Sequence, residues 1–221
     1  MHENSFFLDF EPRFTRGEYW VLETVVESLM PLSLLVAENL EELLNKTGHG
    51  LAQPALLEAL DRLFSTGLLQ ACQGWESEHF FVPTREQIQD ALQEKGHQNL
   101  TYYGLTAEGG KQWEAFARPR WENFLHVSYE RLSPTRQRGE FICANQRRLE
   151  RYFQGIHYLK QQCDPATVVR EELRPWQATY WKQLPLGYCI CFECEEVGSF
   201  EWDDIPLTYY WLHDDNWYSW R

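Results

Sequence analysis

Positive charge is scarce in this chain. Twenty Lys and Arg stand against 33 Asp and Glu, a formal net of −13 over 221 residues. Polyanions are bound mainly through Lys and Arg that displace counterions, so the balance weighs against nucleic acid as a partner. No uninterrupted apolar stretch approaches the length that crosses a bilayer. The first residues, Met1-His-Glu-Asn-Ser-Phe-Phe-Leu-Asp-Phe-Glu11, carry acids where a secretory signal needs a basic start and an apolar run. The expectation is a soluble, cytoplasmic, bacterial protein without membrane contact, its six cysteines kept as thiols. Their spacing is not that of a secreted disulfide framework. There is no Gly-x-Ser-x-Gly elbow, no Gly-rich phosphate loop and no His-Glu-x-x-His pair, so no local motif points to an enzyme. Internal repeats and low-complexity tracts are also missing.

The charge that is present is unevenly placed. Residues 1–117 carry seven Lys and Arg against eighteen Asp and Glu, a net of −11. Residues 118–174 have eleven positives and seven negatives, a net of +4, and residues 175–221 have two and eight, a net of −6. Arg118-Pro119-Arg120 marks the change, because proline stops a helix and the composition shifts there. Two domains are expected, 1–117 and 118–221.

In the first, Leu22, Val25, Val26, Leu29 and Met30 form one helical stripe over 18–30. A second helix is expected over 33–46, with Val36, Leu40, Leu43 and Leu44 inside and Glu38, Glu41 and Glu42 outside. A third spans 53–66, burying Leu56, Leu57, Leu60, Leu63 and Phe64, with Gly67 as its C-terminal cap. Leu68–Cys72 and Leu100–Leu105 read as strands, with Phe80–Val82 extending the sheet. Gly74–His79 reads as a polar loop. Thr84-Arg-Glu-Gln87 is a capping box, which predicts a short helix over 85–95. Thr106 opens a further helix over 107–117.

The stretch Leu100-Thr-Tyr-Tyr-Gly-Leu-Thr-Ala-Glu-Gly-Gly110, about thirty residues after Thr66-Gly-Leu-Leu69, resembles the Tyr-Tyr-x-Leu-Thr-x-x-Gly element of PadR-like regulators. The resemblance covers the first half only. It implies a winged helix-turn-helix, here with a helix inserted in the wing, and a transcriptional regulator that reads DNA through its third helix. On that helix Gln53 and Arg62 would be the reading residues. A recognition helix meets base edges with exposed Arg, Lys, Asn or Gln. The outward face over 53–66 instead offers Gln53, Glu58, Asp61, Arg62 and Ser65, two acids and one base. The wing adds Glu76, Glu78, Glu86, Asp90 and Glu94. DNA is therefore expected to be repelled, and the module to serve protein contact.

The second half reads as an aromatic-rich α+β domain, an antiparallel sheet with one main helix. Strands are expected at 124–131, 139–144, 176–181 and 187–195, and the helix at 146–162. A hairpin is expected from 207–212 and 217–221 around His213-Asp-Asp-Asn216. Cys189-x-Cys191-x-x-Cys194 lies on a strand whose alternation sends Cys194 to the opposite face. With a fourth ligand to come from His213 or elsewhere, these thiols predict no zinc site. Asp203-Asp204 and His213-Asp214-Asp215 read as turn residues rather than cation ligands, so neither metal nor cofactor is expected.

Arg147, Arg148 and Arg151 stand at a helix start, where cations oppose the helix dipole. Either a bound anion or acidic partner offsets them, or the acids from Glu193 to Asp215 do. Seven of the ten tryptophans lie beyond Arg120. Trp176, Trp181, Tyr210 and Trp217 are candidates for a contact surface, with an aromatic core as the alternative. Together these features predict a non-enzymatic protein that binds a protein partner or a second copy of itself. A ligand-sensing regulator, or a small-ligand binder or enzyme using the Trp-rich sheet, are the alternatives.

Overall fold

The computed structural model describes residues 14–36, 48–75, 77, 79–96, 99–159, 161–197, 217 and 218. It is a mixed α+β protein with antiparallel sheets. The chain divides into two compact units. The first holds residues 1–116 together with Thr179–Trp181, and the second holds 117–178 and 182–221.

The first unit opens with α1 (Arg16–Glu23), where Thr15 and Glu18 form a capping box. The helix ends at Glu23, earlier than the apolar stripe over 18–30 predicts. Its last turn closes at Thr24, whose hydroxyl donates back to the Val21 carbonyl at 3.0 Å and contacts the Tyr103 hydroxyl at 3.0 Å. Val25 and Val26 stay buried although they are no longer helical. Met30–Pro31 forms β1 and Leu32–Leu35 a single 3-10 turn. Most of the helix expected over 33–46 lies outside the described residues.

Helix α2 (Gln53–Ser65) buries Leu56, Leu60, Leu63 and Phe64 of the stripe its periodicity predicts, while Leu57 is only half-buried and Ala59 is buried in addition. Gly67, at a φ of 73°, takes the chain out of it. Then come β2 (Leu69–Gln73), β3 (Phe80–Phe81), α3 (Arg85–Ala91), β4 (Thr101–Leu105) and α4 (Ala107–Ala117). The strands pair in the order β1-β4-β2-β3, with Leu69 opposite Leu105 and Met30 opposite Tyr103. Thr84 and Gln87 form the capping box of α3. Thr106 ties β4 to α4: its hydroxyl donates to the Gly67 carbonyl at 2.6 Å and accepts from the Gly109 N–H at 3.0 Å.

In the second unit β5 (Leu125–Arg131), β6 (Arg136–Cys143) and β11 (Gly187–Glu196) run side by side. The far edge of β11 is shared by β8 (Val169–Leu173), opposite residues 187–191, and β7 (Gln161–Cys163), opposite residues 194–196. β9 (Trp176–Gln177) and β10 (Gln183–Leu184) make a separate hairpin. The strand expected over 176–181 thus stops at Gln177. Helix α5 (Gln146–Gln154) is capped by Asn145 and ends at Gly155, well short of residue 162. It packs Leu149 and Tyr152 on Phe141, Ile190, Phe192 and Cys194. The hairpin expected over 207–221 falls outside the described residues except for 217 and 218.

Candidate functional site

Gln53 is the first residue of α2 and is exposed, beside exposed Glu58. Arg62 does not stand free on that face. Its Nε donates to Glu18 Oε1 at 2.7 Å, and the Glu18 side chain is only 7% exposed. Burial pushes the Glu18 carboxyl up, but the bonds from Arg62 and Thr15 outweigh it and hold the group below its ordinary value. Arg85 of α3 meets Asp61 of α2 at 3.3 Å. Both arginines are thus matched by acids of the same unit. Glu94 also turns inward, accepting from the Thr101 N–H at 2.6 Å and its hydroxyl at 2.7 Å. Glu86 and Asp90 are exposed, and Glu76 and Glu78 lie outside the described residues. What the sequence reading missed is apolar: Trp75 is 68% exposed, with Phe80 and Val82 also exposed nearby in sequence. A tryptophan inside a predicted polar loop was the signal available for it.

Tyr180 and Trp181 belong to the first unit and reach its β4–α4 segment. The Tyr180 hydroxyl accepts from the Leu105 N–H at 2.5 Å and donates to the Val25 carbonyl at 2.6 Å. Trp181 Nε1 donates to the Val26 carbonyl at 2.8 Å. A Cβ added at Gly104 would run into the Leu29 side chain and the Tyr180 hydroxyl, and one at Gly110 into the Trp181 ring. The two glycines are therefore close-approach sites.

The other aromatic candidates are internal to the second unit. Trp176 is buried and stacks near Phe124 at 6.0 Å. Trp217 is buried too, 4.8 Å from Phe124 and 4.6 Å from Trp121, and its carbonyl accepts from the Arg120 N–H. Tyr210 lies outside the described residues. On α5, Arg147 and Arg148 stand at the helix start as expected, but Arg151 falls in the last turn of this nine-residue helix, where a cation suits the dipole. Arg147 and Arg151 are exposed while Arg148 is 8% exposed. Most acids expected to face them are outside the described residues. Glu193 is described, and it is held by Arg136 at 2.7 Å and Arg138 at 3.7 Å on β6.

Strand alternation places Cys194 in the core under α5 and turns Cys189 and Cys191 to the other face. There the two Sγ atoms are 3.6 Å apart, and Cys191 Sγ is 3.8 Å from Glu140 Oε2. The three donor atoms all lie within 4.8 Å of one another. Burial pushes the Cys189 thiol up to about 12, with Cys191, Glu140 and Glu171 adding to it. Glu140 is a residue that sequence reasoning left out, because it reaches Cys191 only through the β6–β11 register.

Comparison with protein-family models, with curated proteins and with solved structures gave no match to this chain. Among the described residues no helix is long and apolar enough to cross a membrane.

Proposed function

We propose that the chain is a non-enzymatic binding protein whose first unit is an acidic winged-helix module used for protein contact. The observation that carries this is the pairing of Arg62 with Glu18. The single base on the outward face of α2 is spent inside the unit. A helix left with Gln53 and Glu58 outward has little to offer a polyanion. The exposed Trp75, Phe80 and Val82 supply the aromatic and aliphatic surface that protein contacts favour. The resemblance to PadR-like regulators implies DNA reading, and the same ion pair counts against it.

The test is binding to mixed genomic fragments and to the DNA upstream of the protein's own gene, at physiological salt. Affinity no tighter than background is expected. A saturable, salt-sensitive shift on the upstream fragment would overturn the reading, and Gln53 and Arg62 would then be the residues to mutate. In a native extract, a co-purifying protein or self-association lost on Trp75→Ser is the positive counterpart.

A further inference from the structure

We propose that Cys189, Cys191 and Glu140 form a binding site for a thiophilic divalent cation of the zinc class, on the face of the second sheet turned away from α5. The donors come from two adjacent strands. Glu140 of β6 stands directly opposite Cys191 of β11, and Cys189 is two residues along the same strand. Residues directly opposite one another and residues two apart share a face, so the pleat itself converges the three groups.

Two of the three separations match tetrahedral coordination, and the third donor pair lies within 4.8 Å. Two thiolates each about 2.3 Å from zinc stand about 3.8 Å apart, and a thiolate and a carboxylate oxygen about 3.5 Å apart. The observed separations are 3.6 Å between the sulfurs and 3.8 Å from Cys191 Sγ to Glu140 Oε2. Three protein donors leave a fourth position for water, the arrangement of an open zinc site.

The charge on this face also calls for a cation. Glu171 stands opposite Cys189 and adds a second carboxylate to the same side. The arginines on this face of β6 are already engaged: Arg136 by Glu193 and Asp164, Arg138 by Glu193 and Glu130. Two thiols beside carboxylates favour soft or borderline ions such as zinc over calcium or magnesium. Cys189 is 4% exposed while Cys191 and Glu140 are half-buried.

The test uses the full chain, reduced with a non-thiol reductant and titrated with cobalt(II). Thiolate-to-cobalt charge-transfer absorption that saturates at one metal per chain and is bleached by zinc is expected. Loss of an outer-shell partner alone weakens a metal site about 10–100-fold, so Cys189→Ser or Cys191→Ser should weaken cobalt binding by at least about 100-fold. Glu140→Gln, at a half-buried position, should weaken it at least about tenfold with the fold intact by circular dichroism. Cys163→Ser, away from the site, should leave it unchanged. The proposal is overturned if folded, reduced wild-type protein gives no such band. It is equally overturned if Glu140→Gln binds as tightly as wild type, or if Cys163→Ser abolishes the band. Should a cysteine variant fail to fold, the Glu140→Gln result decides.

Discussion

The hydroxyl of Tyr180 lies 2.5 Å from the backbone nitrogen of Leu105, beside Gly104, where an added Cβ would run into both Tyr180 and Leu29. A strand N–H that would otherwise be buried without an acceptor is thereby satisfied. Tyr180→Phe keeps the ring and removes that acceptor. An unsatisfied buried donor costs about 1–3 kcal/mol. Urea denaturation should show the loss as a lower midpoint with an unchanged slope.

Gly110 and Trp181 provide a test that reverses sign. In the wild-type protein Gly110→Ala forces a methyl against the indole and should destabilise. In a Trp181→Ala background the clash is gone, and alanine is about 0.8–1 kcal/mol better than glycine inside a helix. The same substitution should then be neutral or stabilising. Melting curves of the four proteins give the coupling, expected at about 0.5–3 kcal/mol. Additivity would show that the indole does not occupy the Gly110 hollow.

Glu23 is 5% exposed, and neither carboxylate oxygen has a hydrogen-bond partner among the described residues. Burial pushes its carboxyl from 4.5 up to about 7. Below 4.5 both folded and unfolded chains hold the proton, so no penalty exists there. Between 4.5 and about 7 the unfolded chain ionises first, so this group's stabilising contribution falls as pH rises. Above about 7 the loss is constant, about 3 kcal/mol at most. Glu23→Gln should therefore match wild type near pH 4 and exceed it at pH 8. A constant difference across that range would sink this account.

Arg62→Ala should destabilise the first unit most where Glu18 is ionised. The Glu18 carboxyl is held below its ordinary value, so its contribution is present above that value and is lost as pH falls through the folded value. The gap between variant and wild type should close in acid. Because Arg62 is itself 45% exposed in its side chain, the cost near neutrality should stay near about 1 kcal/mol. DNA affinity should not change.

Trp217 is the described anchor of the final segment. Trp217→Ala should cost about 3–5 kcal/mol, since it empties a pocket formed by Trp121 and Phe124. Removing residues 200–221 should lower the melting temperature and promote aggregation. A truncated chain that melts like wild type would make that segment a free appendage.

Local signals were readable where one turn or one period decides the outcome. The apolar stripe of α2, the capping box at Thr84 and Thr106 at the start of α4 needed no partner to be recognised. Elements fixed by distant partners were not. Helix α1 stops at Glu23 although its stripe continues. β7 and β8 divide the edge of β11 between them, a pairing that no local pattern encodes. The same limit hid Glu140 from the two cysteines: alternation gave their shared face, but register brought the acid. It also hid why Gly104 and Gly110 are glycines, because the side chains that crowd them, Leu29 and Tyr180 at the first and Trp181 at the second, lie some seventy residues away in the chain.

That distance matters while the protein is being made. The first unit is completed by Thr179–Trp181, about 65 residues after Phe116. At roughly 5–20 residues per second, a ribosome needs several seconds to supply them. Until then the Leu105 N–H and the Val25 and Val26 carbonyls lack the side chains that later satisfy them. The nascent chain therefore holds every residue of its first unit only after much of the second has been translated.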